Sequence, residues 1–86
     1  MIIATYKYNP SNFSHVLGLS DDLAAFYQLH SEYLTNKTQS KRFTLEKKWE
    51  ELFFTIKHRE IEGGITKNTA HELQLHLDEL LDESGD

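Results

Sequence analysis

The chain contains no cysteine. That removes disulfides, thiolate metal sites and cysteine nucleophiles together, and it agrees with a reducing compartment, so a cytoplasmic location is expected. A single proline and four glycines leave few points at which a helix must break. No stretch approaches the roughly 18 consecutive apolar residues of a membrane-spanning helix. The opening M-I-I-A-T-Y-K-Y-N-P has too short an apolar run and no basic lead, so a secretory signal is not expected either. Eighty-six residues suit one domain, 1–86. A chain of this size buries only about 60% of the surface its unfolded form exposes, so the core must be thin.

Basic residues are also scarce, 9 against 14 acidic, for a net charge of −5. The imbalance is local: residues 1–44 sum to +1 and residues 45–86 to −6. Nucleic-acid binding draws most of its affinity from a basic stripe that neutralises phosphates. Here the only basic cluster is Lys37 with Lys41 and Arg42. Nucleic acid is therefore not the expected partner, although a dimer could double that small patch.

Catalytic motifs are missing as well. There is no G-x-S-x-G elbow, no phosphate loop and no dinucleotide fingerprint. His71-Glu72 opens like the zinc motif H-E-x-x-H, but the next histidine is His76, about 140° away on a helix, so the two cannot share one ion. Ser14 and His15 are adjacent and diverge by about 100° on a helix, which does not make a nucleophile and its base. The carboxylate pairs Glu50-Glu51 and Asp78-Glu79 diverge in the same way. No catalytic residue, metal ligand or cofactor site is assigned, and the chain is read as a non-enzyme.

What is present is helical patterning. Thr44 to Gly64 carries the only tryptophan, a Phe53-Phe54 pair and a terminal Gly-Gly. Ser40 or Thr44 is the expected cap and Gly63 the expected stop. At about 100° per residue, Leu45, Trp49, Leu52, Phe53 and Ile56 share one face, while Phe54 and Ile61 project from nearly the opposite one. Before it, Ser20 is the expected cap of a helix striped by Leu23, Phe26, Tyr27, His30, Tyr33 and Leu34 and ending near Thr35. Within that stripe His30 reads as a packed core residue. Asn9-Pro10 begins a short helix of about two turns containing Phe13, Val16 and Leu17. After the glycines, Ile65 and Thr66 are placed as staple and cap of a last helix with Ala70, Leu73, Leu77, Leu80 and Leu81 in its stripe. Asp78, Glu79, Asp82, Glu83 and Asp86 crowd the negative end of that helix, so its final turn is expected to fray.

The N-terminal Ile2–Tyr8 segment is rich in β-branched and aromatic residues and reads as a strand or an extended arm. As a strand it would need a partner, for which Arg42-Phe43-Thr44 or a second subunit are the candidates. The fold expected is mainly α: a small bundle of three longer helices plus one short helix, with an extended or β N-terminal segment.

Three stretches are candidate partner-binding surfaces. Phe54, His58 and Ile61 form a mixed aromatic and aliphatic strip, expected to be covered by the N-terminal segment. Tyr6 and Tyr8 could anchor an arm, because tyrosine offers large contact area at low entropic cost. Asp78, Glu79, Asp82 and Glu83 could meet a basic surface. The function expected is a small acidic protein-binding module of inhibitory or regulatory type, in character like an immunity protein or antitoxin. The alternatives are a self-assembling homodimer and a transcriptional regulator that touches DNA through Lys37, Lys41 and Arg42.

Overall fold

In the computed structural model, which describes Tyr6 and residues 8–85, a 3-10 turn (Pro10–Phe13) leads into three helices: α1 (Leu19–Thr35), α2 (Gln39–Ile61) and α3 (Lys67–Gly85). This is a small helical bundle, with no strand among the described residues. Its longest dimension, 37 Å, is set by α2, since 23 helical residues at about 1.5 Å each span roughly 35 Å.

Each boundary has a local cause. Asn9 accepts the Ser11 N–H and Pro10 follows it at the first position, as its fixed φ favours. The turn is one turn long, not two: the chain bends at Gly18, whose φ of 78° is in the left-handed region. Gly18, not Ser20, therefore precedes the first residue of α1. Val16 stays buried, whereas Leu17 is turned outward by the bend and is exposed.

The expected start of α2 at Ser40 or Thr44 is corrected to Thr38, whose side chain accepts the Lys41 N–H at 3.2 Å. Ser40 and Thr44 lie inside the first turns, where Thr44 Oγ1 donates to the Ser40 carbonyl. Arg42-Phe43-Thr44 is thus helical and not a strand. At the other end, Gly63 has φ 83°, with its N–H on the Glu60 carbonyl and the Gly64 N–H on that of Arg59. This pair of bonds is a Schellman stop. Thr66 then caps α3 by accepting the Thr69 N–H at 3.1 Å, over a buried Ile65. The α3 backbone is helical to Gly85; Asp86, the last of the acidic residues, lies outside the described residues.

The core joins one stripe from each helix. Leu19, Leu23 and Phe26 of α1, Leu45, Leu52 and Ile56 of α2, and Ala70 and Leu73 of α3 are wholly removed from water. Each large aliphatic or aromatic member contributes about 1.5–3 kcal/mol. Trp49 and Phe53 sit only partly buried at the edge of this stripe. Trp49 Nε1 instead donates to Asp78 Oδ1 at 3.0 Å, tying α2 to α3. Asp22 ties α1 to α2, accepting from Lys48 at 3.2 Å and from Thr55 at 2.9 Å.

Candidate interaction surface

The N-terminal arm is positioned by aromatic residues of α1 and α3. Tyr6 stacks on Tyr27 with ring centres 4.0 Å apart, and its hydroxyl lies 3.0 Å from Nδ1 of the buried His30. Tyr27 in turn donates to the Tyr8 carbonyl at 2.9 Å. Tyr8 donates to Glu72 at 3.3 Å and meets the edge of the buried His76. Burial pushes the Tyr27 phenol up to about 12 and raises that of Tyr6. Tyr8 is raised by desolvation and then by the Glu72 carboxylate beside it. His30 is thus the packed core residue expected. Apart from Tyr6 and Tyr8, the anticipated Ile2–Tyr8 strand falls outside the described residues.

Of the N-terminal segment expected to cover Phe54 and Ile61, the described residues Tyr6 and Tyr8 lie against α1 and α3 instead, and Phe54 is 62% exposed and Ile61 82%. His58 is exposed beside them. The described residues of the segment, Tyr6 and Tyr8, have their hydrogen-bonding partners on α1 and α3. Phe53 packs edge-on against Phe54, 6.0 Å between ring centres, so the ring is supported but not covered.

A further member of this face was missed in the sequence. Phe43 is 62% exposed, with Lys47 Nζ 5.7 Å from its ring centre. It lies seven residues before Glu50 and eleven before Phe54, which is the helical spacing of a single face. The signal was present, but starting the helix at Ser40 or Thr44 left Phe43 at or beyond its end. On α2 the residues Phe43, Lys47, Glu50, Phe54, Lys57 and Ile61 are all exposed and form one outward stripe.

The other predicted positions are dispersed. Asp78, Glu79 and Asp82 are exposed along α3, Asp78 holding the Trp49 indole; the Glu83 side chain is outside the described part. Of the basic cluster, Arg42 is drawn inward. Its Nε donates to Glu46 at 2.9 Å, its Nη1 to the Leu81 carbonyl at 3.0 Å, and its guanidinium lies over the Tyr33 ring. A depression of about 340 Å³ between α2 and α3 is lined by Lys57, Glu60, Lys67, Asn68, His71 and Gln74. Its charges are of both signs, so it singles out no ligand. Among the described residues no group of His, Asp or Glu side chains is arranged to hold a metal ion, and no helix is long and apolar enough to cross a membrane.

No protein-family model matches the chain, nor does any curated protein or solved structure.

Proposed function

We propose that this chain is a non-enzymatic protein-binding module of regulatory or inhibitory type, acting in the cytoplasm, and that the outer face of α2 is its working surface. One observation carries the reading. Phe43, Phe54 and Ile61 stand on one helix face and are exposed to water. Scattered exposed apolar residues are ordinary on any surface, but aromatic residues aligned on one rigid helix are the anchors that interfaces use. The exposed acids Asp78, Glu79 and Asp82 of α3 would steer a basic partner towards the molecule and have less part in holding it.

Replacing Phe54 with aspartate tests this directly. The variant is expected to keep the helical circular dichroism of the wild type while losing the partners that the wild type crosslinks to in its own cell. A folded variant with an unchanged crosslinking pattern would remove the α2 face from consideration.

A further inference from the structure

The outward residues of α2 follow one another at steps of four, three, four, three and four: Phe43, Lys47, Glu50, Phe54, Lys57, Ile61. That is the spacing of a coiled-coil seam, in which alternate positions insert into a facing helix. Resting on the reading that this face is the working surface, we infer that its partner is a second copy of this chain, with the two α2 helices antiparallel across a two-fold axis at the level of Lys48 and Trp49.

Charge complementarity selects both the partner and the register. In an antiparallel pair the two kinds of seam position face each other, so only a few registers are available. Setting Phe43 against Ile61 of the second copy puts Lys47 against the partner's Lys57, a repulsive layer on each side of the axis. Setting Glu50 against the partner's Ile61 puts Phe54 against the partner's Lys57 and leaves both Phe43 and Lys47 of each copy beyond the facing helix. A third register places Phe43 against the partner's Phe54 and Lys47 against the partner's Glu50. Symmetry repeats both layers. Two aromatic pairs then enclose two ion pairs, while Lys57 faces the partner's Ser40 and only Ile61 passes beyond the facing helix. Among the described residues neither Lys47 nor Glu50 is engaged in an ion pair within its own chain. A seam that complements itself in one register is a property a foreign partner would not require.

The surroundings agree. Two copies of charge −5 repel, but the seam carries two lysines and one glutamate and so offers a face on which they can approach. In this register residues 39–58 of each helix overlap, about 30 Å of contact. One helix face of that length is smaller than the roughly 800 Å² per partner of a standard interface, so the association is weak and depends on concentration.

Sedimentation of the full chain from micromolar to millimolar concentration tests the pairing. The wild type should pass from monomer to dimer. Glu50→Lys sets four lysines together and should lower the association constant by about tenfold or more, with unchanged helical circular dichroism. The double exchange Lys47→Glu with Glu50→Lys restores both pairs and should restore the dimer. A wild type that is monomeric at millimolar concentration overturns the inference, as does a folded double variant that stays monomeric. If the wild type is monomeric while Phe54→Asp still loses a foreign partner, the second copy is wrong and the α2 surface stands. A dimer indifferent to Glu50→Lys and to Phe54→Asp overturns both.

Discussion

Two large apolar residues of α2 are two positions apart in sequence and differ in almost everything else: Leu52 is wholly buried and Phe54 is 62% exposed. Truncating each to alanine measures that difference. Leu52→Ala removes buried methyl groups and leaves a cavity in the core, the kind of loss that costs about 2–5 kcal/mol. Phe54 hides little more than a third of its area. For a side chain of roughly 200 Å² this is about 75 Å², or at most about 2 kcal/mol at ~25 cal/mol per Å². Alanine returns about 0.5 kcal/mol through its better helix propensity, so the net loss is expected near 1 kcal/mol. In a domain of this size each kcal/mol lowers the melting temperature by about 4–8 °C, so the two variants separate clearly. Urea denaturation at low micromolar concentration, where association plays little part, gives both values with an unchanged m. If Phe54→Ala costs as much as Leu52→Ala, the residue is covered, and the argument that leaves the α2 face open is wrong.

Two further perturbations address the arm and the helix stop. The raised phenol of Tyr27, at about 12, means the folded chain holds that proton more tightly than the unfolded one, whose tyrosines ionise near 10. The stability it contributes is therefore fully present below pH ~10 and falls as pH rises from there towards 12. Denaturation midpoints should drop in that window, and Tyr27→Phe should flatten the drop; an unchanged drop in that variant would place its cause elsewhere. Gly63 holds φ 83° with open space where a side chain would go. Gly63→Ala should thus cost about 1–2 kcal/mol through backbone conformation alone, visible as a lower melting temperature with the same helix content, and a neutral result would refute the need for glycine there.

How much of this was legible in the sequence differs from residue to residue. Helix identity was readable wherever a stripe ran for several turns: Leu23 to Tyr33, Leu45 to Ile56 and Ala70 to Leu80 repeat at the helical period and are buried largely as that period implies. Gly63 and Thr66 were readable because left-handed backbone and side-chain capping are local chemistry. Starts were harder. Thr38, Ser40 and Thr44 can all cap, and only the bond that Thr38 makes to Lys41 decides among them. That small choice of boundary hid Phe43 from the surface it belongs to.

What the sequence determined alone is the class of fold and the existence of two apolar faces on α2, because periodicity reports which residues share a side. Which of those faces is covered was decided by tertiary packing. Tyr6 and Tyr8 reach Tyr27, His30 and Glu72 across separations of 21 to 64 residues, and nothing in local pattern encodes pairings so distant. Only the packed bundle brings α1 and α3 together to receive Tyr6 and Tyr8, while Phe43, Phe54 and Ile61 face water.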